Sequence, residues 1–438
     1  MSLRKLLALF AIPALLAAIF MLFSGDETLA PEVAAWLVNP AEKVKDEDNG
    51  YIYLIGILAG EKDDPYQVGL QTIDSLTTRE QDSGFYRAVK AEEHRPSDQL
   101  ELPQSRLLCA RGRPDCLTRI LQRSDEIEQL LKGNRVLLDR YRSFLTHANY
   151  ETSSASFADD IDLPYYVVTR VNRLLHLRVI KQLLDGQQRD AADTLMNDVI
   201  ALRSLLGMAD DFILKMTLTS ALAEDFQLMS QLYSRGYYDE RVIDPNNKIF
   251  DHFSELERSW ELDMKRRFRR HAERVYTFFD GLDLSAEGIN PLAWSVAPLH
   301  KPNKTLNDIH PKFDRNYQLS VMSPSRFLDS SSNRTAEKNI FTRSNIIGSI
   351  LNRKAMVSYE AYIGMMKDTE CFMKLVKIRL SLPARIIGSG IDLDQLAATM
   401  DIRNPYNGRR PFMDVLSERI CFSSRPNHNG FDQLCVEL

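Results

Sequence analysis

Apolar residues fill every position from 6 to 23, LLALFAIPALLAAIFMLF, with Arg4 and Lys5 ahead of them and Asp26 and Glu27 behind. A spanning helix needs roughly 17–25 such residues, whereas the core of a cleaved signal peptide has about 7–15. Small residues are badly placed for cleavage: a cut after Gly25 puts Phe23 at −3, and a cut after Ala30 puts Pro31 at +1. The pattern predicts an uncleaved signal anchor. Basic residues before the run and acids after it orient residues 1–5 to the cytoplasm and residues 24–438 to the far side.

Beyond the anchor the pattern is mostly helical. NGYIYLIGILAG, at 49–60, is the exception. Its β-branched and aromatic residues between glycines predict a strand over 51–57. Asp64 and Pro65 then read as the N-cap and first residue of a helix. A helical pattern covers about 115–150, with a break at Gly133-Asn134. Three more segments follow over 163–279, stopping near Gly186, Gly207 and Gly236, where left-handed C-caps are expected. Similar lengths and short connections make these helices antiparallel neighbours, either a bundle or an array of helix hairpins. Residues 281–338 lose the period under Gly, Pro, Asn and Ser, and predict a long irregular segment. Helix resumes over about 343–382.

The ending differs in kind. A short helical pattern gives way to turn signals at Asn404-Pro405 and Asn407-Gly408, then to strand-like runs around Ile420 and Leu434. A two-stranded hairpin is marginal alone, and the strand over 51–57 is the candidate third member. The fold class expected is therefore mainly α: a transmembrane helix, an antiparallel helical body, and a small antiparallel sheet joining an N-terminal strand to a C-terminal hairpin. Within 24–438 the expected parts are 49–282 (strand and helical body), 283–340 (long loop), 341–400 (helical) and 401–438 (hairpin).

Cysteine usage sharpens the compartment. Cys109 and Cys116 flank a turn sequence, as do Cys421 and Cys435. No CxxC or CxxxH spacing favours metal, so two local disulfides of an oxidising compartment are expected. Cys371, inside a helical run, reads as a small buried hydrophobe. Composition adds little: 44% hydrophobic, 26% charged and a net charge of −5 describe an ordinary globular chain with no global pull toward nucleic acid.

NGYIYLIGILAG, the paired-cysteine loop leading to LLDRYRSFL, PNKTLN, NIIGSILNRKA and RNPYNGRRPF together resemble a set of single-pass, membrane-anchored proteobacterial proteins. The resemblance spans most of the soluble part. It implies a bacterial inner-membrane anchor and a mostly helical periplasmic domain, and it brings no activity, hence no catalytic or binding residue.

Local chemical signatures are sparse. HExxH, GxSxG, GxGxxG and the Walker-type loop do not occur. Gly388-Ser389-Gly390 reads as a connection. The eight histidines include no pair at i, i+3 or i+4. His300 and His310, near Asp308, are a weak zinc pattern. Asp280, Asp283 and Glu287 lack the order of a calcium loop, and Asp159, Asp160 and Asp162 sit where acids favour a helix N-terminus. No metal or cofactor is expected.

The most unusual stretch is SWELDMKRRFRRHAERVY. Trp260, Met264, Phe268, Ala272 and Val275 share one helical face, while Lys265, Arg266, Arg269, Arg270 and Arg274 spread over the rest. That is either a surface for an anionic partner or the solvated side of a core helix. The function expected is a membrane-anchored periplasmic binding or scaffold protein that organises cell-envelope components, with the membrane and an envelope protein as partners and no nucleic acid. The alternative is an envelope hydrolase acting on glycan or lipid through paired carboxylates, which need no sequence motif.

Overall fold

The computed structural model describes residues 25–38, 48–83, 99–109, 116–152, 164–239, 242–278, 300–332, 345–355, 359–383, 402–414, 417–423, 425 and 433–438. The anchor expected over 6–23 lies outside them. Among the described residues no helix is long and apolar enough to cross a membrane.

The described chain is mainly helical. In order come α1 (Pro31–Leu37), α2 (Gly50–Ile55), α3 (Pro65–Ser83), α4 (Cys116–Leu121), α5 (Ser124–Gly133), α6 (Arg135–Leu145), α7 (Tyr165–Leu184), α8 (Gln188–Met208) and α9 (Phe212–Ser234). They are followed by α10 (Glu255–Arg258), α11 (Glu261–Tyr276), α12 (Pro302–Val321), α13 (Pro324–Ser332), α14 (Ile346–Ala355) and α15 (Glu360–Leu380). Strands β1 (Phe412–Asp414), β2 (Arg419–Ser423) and β3 (Gln433–Glu437) close the chain as one antiparallel sheet in that order. Two compact units result, one from 1–41, 261–318 and 334–359, the other from 42–260, 319–333 and 360–438.

In the smaller unit α11 packs its apolar face inward as its spacing predicts. Met264, Phe268, Ala272 and Val275 are buried with Leu306, Ile309 and Phe313 of α12. Trp36 of α1 meets the edges of Phe268 and His310. Asn345 joins α14 to α12: its Oδ1 accepts from Gly348 N (3.2 Å) and Lys301 N (3.3 Å), and its Nδ2 donates to Thr305 Oγ1 (2.8 Å). A Cβ on Gly348 would run into Thr305 Oγ1, so glycine permits this approach.

Residues 302–332 correct the expected loop over 283–340, because they form α12 and α13. Prolines at 302 and 324 open these helices, where a missing N–H costs nothing. The stripe Leu306, Ile309, Phe313 has helical spacing but is punctuated by Asn and Pro. Residues 279–299 and 333–344 of that stretch lie outside the described residues.

The larger unit is built on the predicted hairpins. Helices α7, α8 and α9 pack against one another, and α9 also packs along α15. Buried side chains surround α9 on all sides, as expected of a helix at the centre of a bundle. Gly186 and Gly236 adopt φ of +79° and +73° just past α7 and α9, the left-handed C-cap their placement predicts. Gly207 does not terminate its helix. It lies inside α8, and Asp211 caps α9 by accepting from Leu214 N (2.8 Å).

The strand expected over 51–57 is instead a helix, α2, followed by a turn. Asn49 caps it, accepting from Tyr51 N (3.0 Å). A short apolar run buried on both sides has no period that separates strand from helix. The deciding contact lies outside the run itself: α2 and α3 touch backbone to backbone, and a Cβ on Gly56 or Gly69 would strike the carbonyl of Pro65 or Ile52. Arg140 of α6 then donates to the carbonyls of Ile57 (3.1 Å), Ala59 (2.5 Å), Gly60 (2.6 Å) and Asp63 (2.9 Å), fixing the turn. The third strand beside the C-terminal hairpin is β1, only a few residues upstream of it.

Both expected disulfides are present, Cys109–Cys116 and Cys421–Cys435. Cys421 and Cys435 are directly opposed in the β2–β3 register. Cys371 is buried in α15. The sheet lies on α9 and α15. There Arg379 Nε donates to Ser234 Oγ (2.9 Å) and to Glu437 O (3.0 Å). RNPYNG is tied down by Tyr406, whose hydroxyl donates to Asp368 Oδ1 (2.6 Å).

Candidate functional site

In the larger unit helices α6 to α9 bring five polar side chains together in the interior. Asn172 and His176 are one helical turn apart on α7, so both face inward. Asp198 comes from α8 and Asp225 from α9. Asn172 Nδ2 donates to Asp198 Oδ2 and to Asp225 Oδ1, each at 2.9 Å, so one amide bridges two carboxyls. His176 Nε2 lies 2.6 Å from Asp225 Oδ1, and the Tyr141 hydroxyl lies 3.3 Å from Asp198 Oδ2.

Burial governs the electrostatics. Asp225 is fully enclosed and Asp198 is 4% exposed. Among the described residues no lysine or arginine bonds to either. Loss of hydration therefore pushes Asp225 up to about 8 and Asp198 well above the carboxylate range, the latter also through the charge of Asp225. Burial pushes the Tyr141 phenol up and the His176 imidazole down. A neutral His176 that donates from Nε2 to Asp225 keeps Nδ1 as an acceptor. Nδ1 has no hydrogen-bond partner among the described residues.

His176 also lines a cleft between α4, α7 and α9. Leu117, Ile120, Leu177 and Leu228 form the apolar part of its walls, Arg173, Glu224, Gln227 and Gln231 the polar part, and the Cys109–Cys116 disulfide one side. At this cleft Arg173 holds Glu224 through two bonds of 2.8 and 2.6 Å, and the hydrogen bond to Glu224 raises the guanidinium further. The arrangement is a proton-holding carboxyl pair in contact with an imidazole that lines a small recess of mixed polar and apolar character. It is fit for acid–base exchange at His176 Nδ1 and not for direct attack by either carboxylate.

A second concavity, wider and open, runs between the extended segment 99–104 and the junction of α5 and α6. It is bordered by Glu61, Glu101, Lys132, Arg135 and Tyr166. Elsewhere in this unit Lys367 donates to Ser320 O (2.6 Å) and is pushed down to about 7 by burial, while Glu370 meets His252 Nδ1 (2.6 Å). Lys367 and Glu370 are both wholly enclosed.

The basic residues of α11 do not form one exposed face. Arg266 and Arg270 are 6% and 5% exposed. Arg266 donates to Asp263 Oδ1 (3.0 Å). Lys265 pairs with Glu261 (2.7 Å) above the Trp36 ring, Arg269 reaches Val38 O (3.5 Å), and Arg274 is exposed. His300 Nε2 donates to Val275 O (2.8 Å), and His310 meets the Trp36 and Phe268 rings edge-on. Among the described residues no group of three or more His, Cys, Asp or Glu could hold a metal ion. Asp159, Asp160, Asp162, Asp280, Asp283, Glu287 and Gly388-Ser389-Gly390 lie outside the described residues.

Sequence reasoning missed Asn172, Asp198 and Asp225. The one available signal is a carboxylate inside an apolar stripe, as in Leu222, Asp225, Phe226 and Met229 of α9. Comparison of the chain with protein-family models, with curated proteins and with solved structures finds no match.

Proposed function

We propose that the chain is a membrane-anchored periplasmic protein whose helical body binds and organises cell-envelope components. The observation that carries this reading is how the chain leaves the apolar run. Only Ser24 and Gly25 separate Phe23 from Asp26, and Asp26 is already fixed to the folded body, accepting from Asn303 N (2.8 Å) and Lys304 N (3.0 Å). An anchor joined to its domain without a flexible linker suits a protein that holds its partners at a set distance from the membrane. The two disulfides support an oxidising compartment, and the open groove beside segment 99–104 supports docking. In membranes of the source bacterium, the full chain is expected to stay in the pellet through an alkaline carbonate wash. A variant in which a cleavable signal peptide replaces residues 1–24 is expected in the soluble periplasmic fraction. A full-length gene product recovered processed and soluble would overturn the reading.

A second reading, an envelope hydrolase acting on glycan or lipid, is favoured by His176, oriented by Asp225 and facing the cleft. It ranks second because both carboxyls are enclosed. Hydrolysis of muropeptides or phospholipids by the purified chain, abolished in His176→Gln with the fold intact, would promote it. No turnover on either substrate removes it.

A further inference from the structure

The smaller unit carries a constraint on its own orientation. This inference rests on the anchoring reading above and adds to it which end of the unit meets the lipid. Three Cα–Cα steps separate Phe23 from Asp26, so their Cα atoms lie within about 11 Å of each other whatever the local conformation. The headgroup layer on each side of a bilayer is roughly 5–7 Å deep. Asp26 therefore stays in the headgroup layer or within a few ångströms of it once residues 6–23 span the hydrocarbon.

Asp26 is also not free to move relative to the unit. Besides its own bonds to Asn303 N and Lys304 N, Asn303 Nδ2 donates to Glu27 O (2.9 Å) and Lys304 Nζ pairs with Glu27 (3.0 Å). Asn307 brackets the next residues, donating to Thr28 O and accepting from Ala30 N, both at 3.0 Å. α1 then starts at Pro31 and packs along α11. These bonds come from PNKTLN, where Asn303, Lys304 and Asn307 grip residues 26–30 and Thr305 faces the opposite way to Asn345. The same end of the unit holds the last turn of α11, because the Tyr276 hydroxyl donates to Asn303 Oδ1 (2.9 Å). Tyr276 is 46% exposed. A tyrosine with a solvated ring and a hydrogen-bonded hydroxyl suits the membrane–water boundary.

We infer that the end of the smaller unit formed by Asp26, Asn303 and Tyr276 is a lipid-contacting surface, seated in the phospholipid headgroup layer of the membrane that holds the anchor. Acids and bases at this end nearly balance, Asp26, Glu27, Glu273 and Asp308 against Lys301, Lys304 and Arg274. The seat is therefore set by the tether and the tyrosine ring, and it does not require anionic lipid. This differs from the surface suggested by the basic residues of α11, which would dissociate as anionic lipid is withdrawn.

The test uses the full chain in nanodiscs of phosphatidylcholine alone, carrying a nickel-chelating headgroup lipid. One nitroxide is placed at Thr277→Cys, next to Tyr276, and another in a separate protein at Leu15→Cys inside the apolar run. The expected result is a severalfold rise in relaxation at Thr277 from nickel headgroups, undiminished without anionic lipid. Asn303→Ala, which cuts the link between Tyr276 and residues 26–27, should reduce that rise while leaving Leu15 shielded. Leu15 shielded with Thr277 unaffected by nickel lipid overturns the headgroup seat and spares the anchor. A rise at Thr277 that appears only when anionic lipid is added overturns it in favour of the basic helix. A water-exposed Leu15 shows that the anchoring reading itself has failed, and the seat with it.

Discussion

Glu257 and Asp225 are carboxyls of the same unit, both nearly or wholly shielded from solvent, and they end on opposite sides of the usual carboxylate range. Burial raises each of them first. At Glu257 the hydrogen bonds of Arg203, at 2.6 and 3.0 Å, and the backbone N–H of Ser254, at 2.6 Å, outweigh burial, and the carboxyl sits below its ordinary value. At Asp225 the partners bring no positive charge: the hydrogen bonds of Asn172 and Asp198 lower the carboxyl, His176 is kept neutral by burial, and together they fall short of the loss of hydration. The difference teaches that enclosure sets the cost and the neighbours decide who bears it. Around Glu257 the charge is retained and the site is structural. Around Asp225 the proton is retained, which leaves a group able to take up or release one in the neutral range.

The largest expected effect breaks the Glu257 side. Arg203 also donates to the carbonyls of Ile249 (2.9 Å), Asp251 (3.1 Å) and His252 (3.2 Å). Arg203→Ala strands these acceptors and leaves Glu257 charged and unpaired, a loss of about 3–5 kcal/mol. Urea denaturation followed by circular dichroism at pH 7 reads it. A loss below about 1 kcal/mol, the range of an exposed pair, would mean that water replaces the guanidinium and that the contrast is smaller than drawn.

The effect on the Asp225 side is smaller over any one pH unit and depends on pH. Its folded value lies near 8 against an ordinary 3.8, so the folded state keeps a proton that the unfolded chain has released. Stability from this group is full below about pH 4 and is lost as pH rises through 8, at a limiting slope of about 1.4 kcal/mol per pH unit. His176 acts oppositely: its lowered value removes stability as pH falls below the ordinary imidazole range. The stability difference between the native chain and Asp225→Asn isolates the carboxyl. The native chain should lose ground to the variant steadily between pH 4 and pH 8, and a flat difference would place the proton elsewhere.

What could be read along the chain was whatever depends on near neighbours. The hairpins over α7 to α9 were legible because apolar period and, at Gly186 and Gly236, glycine C-caps act within a turn or two. Both disulfides were legible because each closes a short loop, its partners seven and fourteen positions apart. The apolar face of α11 followed from its spacing alone. The helical class of the protein and its local cross-links were in this sense determined by the sequence read locally.

Three things were decided only by the tertiary structure. α2 packs where Gly56 and Gly69 let two backbones meet, a contact that the spacing of apolar residues within the run does not reveal. Asp198 and Asp225 share Asn172 across separations of 26 and 53 residues, and each taken singly is an ordinary acid in a helix. Asp26 reaches Asn303 across 277 residues, so PNKTLN, which reads as a broken loop, is in fact a clamp. The physical reason is the same in each case: a polar or flexible residue gains its role from the partner that burial brings to it, and burial is a property of the packed chain.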